Sequence, residues 1–309
     1  MSDALDRAIE ESAFSGVVRV WDAGAITAER ACGAGIELST RLAIASGTKG
    51  LTAVTIAALI VDGELSFETT ARSLLGDDLP LIASDVTVEH LLAHTSGIGD
   101  YLDEAADADF EVWSLPVPAS ALRETGDYLA VLDGHPTKFA AGSQFEYCNG
   151  GYVVLALLAE RATGVSFYEL VGSKVLQPAG TTASGFFISD ALPAGAVLGV
   201  LANGLSNRDN VPYRGSGDGG AFTTLDDVDR FWRALFEYRL VPEAFVARKT
   251  GKYGLGFWMS DDVPFLEGCD AGVSFQSRYD PRTKSGYTVI GNTMRGAWPL
   301  VRALDASGN

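Results

Sequence analysis

Ser46 and Lys49 stand three residues apart at the head of an apolar run from Leu51 to Val61. Thr52, Val54, Ile56, Ala57, Ala58, Leu59 and Ile60 make this run too long for an ordinary strand and too short to span a membrane. It reads as a buried helix that begins near Ser46 and stops at Gly63. Residues three apart share a helix face. At the first turn a serine hydroxyl also sits among unpaired backbone N–H groups and the positive end of the helix dipole. A lysine held beside it and partly desolvated can lose its proton and activate the hydroxyl as a nucleophile. The plain alternative is a capping serine beside a solvated lysine. Tyr147 and Asn149 form a second pair, in a loop leading into another apolar helix. A phenol near an ammonium can ionise and act as a general base, and an amide two residues on can orient substrate or the lysine. The plain reading there is a packed loop tyrosine and a capping asparagine.

Other chemistries find less support. There is no G-x-S-x-G nucleophile elbow and no phosphate-cradling glycine loop. His90 and His94 have the four-residue spacing of two zinc ligands, but Leu91 and Leu92 lie between them and no zincin glutamate is available. Neither a metal nor a cofactor is expected. His135 is the remaining histidine, and nothing ties it to a serine–histidine–aspartate triad.

The elements that must position these residues follow from pattern. Residues 3–13 read as an amphipathic helix, and Phe14–Trp21 with Ile26–Cys32 as a strand pair turned at Asp22-Ala23-Gly24. A short helix over Thr87–Ala93 runs into His94-Thr95-Ser96-Gly97, and an acidic surface segment extends from Asp100 to Glu111. A helix with Val153, Val154, Leu157 and Leu158 on one stripe ends at Gly164, and another begins behind Thr224. Strand signals return at Tyr253–Met259, Val273–Tyr279 and Tyr287–Asn292, before a closing helix near 297–304. An α+β architecture is expected: an antiparallel sheet flanked by helices, built from 1–63 and 225–309, with a mainly helical insertion over 64–224 and a catalytic cleft between the two. With 309 residues, 47% hydrophobic and 20% charged, the chain suits a globular enzyme. Its net charge of −17 argues against nucleic acid and anionic membranes as partners. Cys32, Cys148 and Cys269 are too few and too scattered for a disulfide framework, and the first residues lack the pattern of a signal peptide. A cytoplasmic location and a small-molecule substrate are expected.

Taken together, the segments resemble the class C β-lactamase and penicillin-binding-protein superfamily of serine hydrolases, which includes esterases and D-aminopeptidases. The resemblance rests on Ser46-Gly47-Thr48-Lys49, Leu91-Leu92-Ala93-His94-Thr95-Ser96-Gly97, and Ala141-Gly142-Ser143 leading to Tyr147-Cys148-Asn149-Gly150-Gly151-Tyr152. Gln177-Pro178-Ala179-Gly180, Gly219-Gly220-Ala221 and Tyr253-Gly254-Leu255-Gly256-Phe257-Trp258 continue it, over about 14–300. It implies a β-lactamase/transpeptidase-like fold, Ser46 as nucleophile, Lys49 beside it, Tyr147 as proton shuttle and Asn149 on the lysine or substrate. His94 is assigned a structural role. The family places a cationic third motif on an edge strand facing the serine. Lys249-Thr250-Gly251 spells such a motif but precedes the Tyr253–Trp258 segment, whereas the family's motif follows it. The register instead puts Leu266-Glu267-Gly268 there, with the Cys269 and Ser46 N–H groups as the oxyanion hole. On this reading Leu266, Glu267 and Gly268 face substrate, and no cation is offered. An esterase or amidase is therefore expected. A β-lactamase or D-amino-acid peptidase is the alternative within the class, and a catalytically silent binding protein the alternative outside it.

Overall fold

The computed structural model describes residues 2–104, 115–250 and 253–307. Gly16–Asp22 (β1) and Ala25–Cys32 (β2) form the N-terminal hairpin. Leu42–Ala43 (β3) and Phe222–Thr223 (β4) make a separate two-stranded ribbon. Lys249–Thr250 (β5), Tyr253–Gly254 (β6), Trp258–Ser260 (β7), Val263–Asp270 (β8), Val273–Asp280 (β9) and Ser285–Gly291 (β10) come from the C-terminal part. They join the N-terminal hairpin in one antiparallel sheet of order β2-β1-β10-β9-β8-β7-β6-β5.

The sheet has cover on both faces. The terminal helices, Ser2–Ser12 and Ala297–Asp305, bring Leu5, Leu300 and Leu304 onto Val18, Val20, Tyr287 and Val289. On the other face Val17, Ile290, Phe275 and Leu266 pack with Leu51 and Val54 of the helix Thr48–Val61 and with Phe231 and Trp232 of the helix Leu225–Phe236. A further cluster joins Ala53, Ile56 and Leu59 to Leu91, Leu92, Tyr152 and Leu155, on the side of the helix Asn149–Thr163. The Thr48–Val61 helix is thus packed on several sides, and residues 48–59 are all buried. A run broken only by Thr52 and Thr55, both of them buried, requires such burial. No helix among the described residues is long and apolar enough to cross a membrane.

Two expected elements differ. Tyr253–Met259 is not one strand: Gly254 N bonds Phe257 O at 2.8 Å, and Gly256 turns the chain with φ +86°. The strand carrying the third-motif register lies inside the sheet rather than at its edge. β7 pairs only with Val263 to Phe265, so beyond that point this side of β8 is uncovered by strand. The acidic segment 100–111 lies outside the described residues beyond Glu104.

Candidate active site

The apolar run opens as a tight 3-10 turn, Ala45–Gly47, that passes directly into the helix Thr48–Val61. Ser46 therefore precedes the α-helix instead of occupying its first turn. Ala45 takes φ +42°, a left-handed conformation that costs an alanine about 1–2 kcal/mol. Thr48 holds the strained turn: its hydroxyl donates to Ala45 O at 2.7 Å and accepts from Ala221 N at 3.0 Å.

Lys49, 1% exposed, has three oxygen partners around Nζ. They are Ser46 Oγ at 2.9 Å, Asn149 Oδ1 at 2.8 Å and the Asp218 carbonyl at 2.8 Å. The amide of Asn149 is fixed from its other end, because Nδ2 donates to Leu102 O and Glu104 Oε1, both at 3.0 Å. Two of the three lysine partners can thus only accept, and the third is a hydroxyl that can accept or donate. The Tyr147 ring lies 4.9 Å from Lys49 Nζ, and Ser46 is among the groups that act on its hydroxyl. Trp258 stacks on that ring at 5.6 Å, and His94 lies 4.4 Å from it. Burial, followed by the charge of Glu104, pushes the Tyr147 phenol well above its usual range. The expectation of a phenol ionised by the lysine thus gives way to a phenol that keeps its proton.

Residues unnoticed in the sequence complete the frame. Asp100, 8% exposed, accepts the Asn149 N–H at 2.6 Å and the Gly150 N–H at 2.8 Å, so it caps the Asn149–Thr163 helix from a distant loop. Burial raises its carboxyl to about 6 against the pull of those amides. Asp218 gives its carbonyl to Lys49 and its carboxylate to the Tyr101 hydroxyl at 2.5 Å. The glycines on either side of Asp218 were the available signal. A Cβ on Gly217 would lie 2.0 Å from the Tyr152 carbonyl, so the loop can approach the helix only as glycine. His90 Nδ1 accepts the Thr87 N–H and His94 Nδ1 the Cys148 N–H, so each ring serves a local backbone group.

The third-motif residues divide. Gly268 lies against the serine turn: a Cβ there would come within 2.2 Å of Ile44 O and 2.8 Å of Ser46 N. Cys269 lines the cleft with Ser46, while its Sγ is directed to the Met294 carbonyl. Leu266 and Glu267 do not face substrate as expected. Leu266 is 5% exposed and packs on Gly50 beneath the serine helix. Glu267 accepts from Gln276 Nε2 at 2.6 Å, and Gln276 in turn bonds Tyr287 in the layer beneath the terminal helices. Alternation along a strand sends neighbouring side chains to opposite faces. Lys249 lies on β5, the outer strand, three ladder steps or roughly 14 Å from β8. Gly251 lies outside the described residues.

The chain is similar to known proteins. The family model described as beta-lactamase matches residues 3–305. Esterase EstB of Burkholderia gladioli is 32% identical over 165 residues, covering 52% of this chain and 42% of that protein. A D-aminopeptidase of Brucella anthropi is 29% identical over 219 residues, covering 68% of this chain and 38% of its own length. The chain thus spans less than half of these curated relatives. Among solved structures, a penicillin-binding protein from Bacillus halodurans superposes with a TM-score of 0.89 at 33% identity, covering 98% of this chain and 99% of that one.

Proposed function

The chain belongs to the β-lactamase family, and from that premise we propose that it is a serine hydrolase that cleaves esters or amides through an acyl-enzyme on Ser46. The observation that carries the reading is the partner set of Lys49. In its uncharged form Nζ gives both hydrogens to Asn149 Oδ1 and Asp218 O, which leaves its lone pair on the Ser46 hydroxyl. Ser46 Oγ attacks the substrate carbonyl carbon as its proton passes to Lys49, and the carbonyl π pair moves onto oxygen. That oxyanion meets the N–H groups of Ser46 and Cys269. Asp270 and Val273 face each other across a two-residue turn, and ladder bonds alternate from such a closing pair. The Cys269 N–H is then directed off the β9 ladder. Collapse of the adduct breaks the bond to the leaving oxygen or nitrogen, which takes the Tyr147 proton. Lys49 then reprotonates the phenol. Water attacks the acyl carbon, its proton goes to Lys49, and Ser46 departs with that proton.

The relatives named esterase and D-aminopeptidase favour esters and amides as substrates. Leu266, buried where the family carries a cation, leaves no positive side chain there for the carboxylate of a β-lactam. A fluorophosphonate probe should label Ser46, as read by peptide mass spectrometry, and p-nitrophenyl acetate should be turned over. Ser46→Ala should abolish both. Lys49→Ala and Tyr147→Phe should each lower turnover by about a hundredfold or more, and the double variant by little further, since the groups act as one unit. Ester turnover near wild type in Ser46→Ala overturns the mechanism, and absence of both labelling and turnover in the wild type leaves a binding protein.

A further inference from the structure

The Asn149 side chain is buried, 2% exposed, and the two ends of its amide face different partners. Oδ1 accepts from Lys49 Nζ at 2.8 Å, while Nδ2 donates to Leu102 O and Glu104 Oε1, both at 3.0 Å. A backbone carbonyl and a carboxylate can only accept, so the end that faces them must carry the N–H groups. This orientation matters to the lysine. With Oδ1 toward it, uncharged Nζ donates to the amide and keeps its lone pair for the Ser46 hydroxyl, 2.9 Å away. With the amide reversed, Nδ2 would donate into that same lone pair, and the serine would lose its base.

The backbone of Asn149 is held by the same short segment. Asp100 accepts the Asn149 N–H on Oδ2 at 2.6 Å, and on Oδ1 the Gly150 and Leu102 N–H groups at 2.8 and 3.3 Å. One buried carboxylate thereby joins the start of the Asn149–Thr163 helix to the loop that supplies Leu102 O and Glu104. Between them, the Tyr101 hydroxyl donates to the Asp218 carboxylate at 2.5 Å, and the Asp218 carbonyl is another partner of Lys49. Two of the three oxygens around Nζ are thus set from this one segment. The segment has anchors of its own. A Cβ on Gly99 would lie 2.5 Å from His135 Cβ. Lys138 Nζ donates to Asp103 at 2.8 Å and to Glu146, the neighbour of Tyr147, at 2.5 Å.

We infer that residues 100–104 lock the Asn149 amide in the one orientation that leaves Lys49 a base, so that Asp100 and Glu104 are positioning residues for the chemistry at Ser46. This rests on Ser46 as the acylated residue. Asp100→Asn replaces one acceptor by an NH2 group that meets a backbone N–H donor. On p-nitrophenyl acetate, at mildly alkaline pH where Asp100 is ionised, it should lower kcat by about tenfold or more with KM much less changed. Glu104→Ala should lower kcat by about fivefold, the weight of one hydrogen bond, and Glu104→Gln, which keeps an acceptor oxygen, should restore most of it. In an Asn149→Ala background neither Asp100→Asn nor Glu104→Ala should lower kcat further, because the amide they orient is gone. The melting temperature should still fall with Asp100→Asn in that background, since the N–H groups of residues 149 and 150 remain. Fluorophosphonate labelling of Ser46, followed by intact mass, extends the comparison to slow variants. A folded Asp100→Asn with wild-type kcat, or one that loses as much again in the Asn149→Ala background, overturns this inference and leaves the hydrolase reading intact. If Asp100→Asn does not fold, the Glu104 pair decides: wild-type kcat in Glu104→Ala, or no recovery in Glu104→Gln, overturns it. A wild type that neither labels nor turns over p-nitrophenyl acetate overturns the hydrolase reading itself.

Discussion

His94 takes φ +55° at the end of the helix Val88–Leu92. Thr95 N bonds His90 O at 2.8 Å and His94 N bonds Leu91 O at 3.3 Å, a Schellman ending in which glycine is the usual occupant. A histidine there costs about 1–2 kcal/mol, so its ring needs a reason to be present. Nδ1 accepts the Cys148 N–H at 3.0 Å, and the ring packs 4.4 Å from Tyr147 and 4.6 Å from Tyr253. Burial first, and the Lys49 charge second, hold the imidazole well below its usual range, so it stays neutral and does not exchange protons with substrate. A ring so placed is expected to position Tyr147. Asparagine tolerates the left-handed backbone but lacks the ring. We therefore expect His94→Asn to fold and to lose kcat by about tenfold or more through a displaced phenol, with KM much less changed. An unaltered kcat in the folded variant removes the positioning role. Ser46, Lys49, Tyr147 and Asn149 could be singled out in the sequence because each pair is held by local spacing and the motifs around them resemble those of one family; the structure brings the four together. Asp100 and Glu104 were not legible there, because they reach Asn149 and Gly150 from across the fold. Their segment read only as acidic surface.

At the scale of elements, the site depends on how closely β8 approaches the serine turn. Gly268 permits that approach, since any Cβ would strike Ile44 O and Ser46 N. These are backbone atoms, which cannot step aside as a flexible side chain can. Gly268→Ala should therefore part β8 from the Ala45–Gly47 turn and misplace both Ser46 and the Cys269 N–H. A displacement of about 1 Å is enough to lower kcat by about a hundredfold. The check is kcat on p-nitrophenyl acetate together with the melting temperature. Wild-type turnover by a folded Gly268→Ala variant would show that the turn does not need this contact. The same strand shows where sequence reasoning ran short. The order of motifs located Gly268 and Cys269, but assigning Leu266 and Glu267 to the cleft together conflicts with the two-residue period of a strand. One of two neighbours must point away, and the core beneath the serine helix has taken Leu266 as well. The strand pair β1–β2 and the two terminal helices were legible, since alternation and helical stripes are local signals. The break within Tyr253–Met259 was not, because Gly256 packs against Ala53 and Lys49 of a distant helix.

For the molecule as a whole, charge sets how stability responds to pH. The chain carries a net charge of −17, and burial raises the carboxyls of Asp100, Asp218, Glu267 and Asp270, the first to about 6 and the last to about 7. A carboxyl whose folded pKa lies above its unfolded value binds more protons in the native state throughout the interval between the two. Its contribution is therefore fully present below the unfolded value and is lost as pH rises through the folded one. For Asp270 that interval runs from the usual aspartate range up to about 7, and for Asp100 up to about 6. His94 acts in the opposite direction: its folded pKa is lowered, so the unfolded chain binds the extra proton and stability falls as pH drops below the ordinary histidine range. Four carboxyls against one imidazole, with general repulsion at −17 on the carboxyl side, decide the sign. The melting temperature should rise as pH is lowered from about 8 to about 5.5. Asp270→Asn, which stays uncharged at every pH, should flatten part of that slope. Melting curves of the wild type and Asp270→Asn across this interval provide the check. A wild-type melting temperature that is flat, or higher at the alkaline end, would mean that the cleft carboxylates are not desolvated in solution.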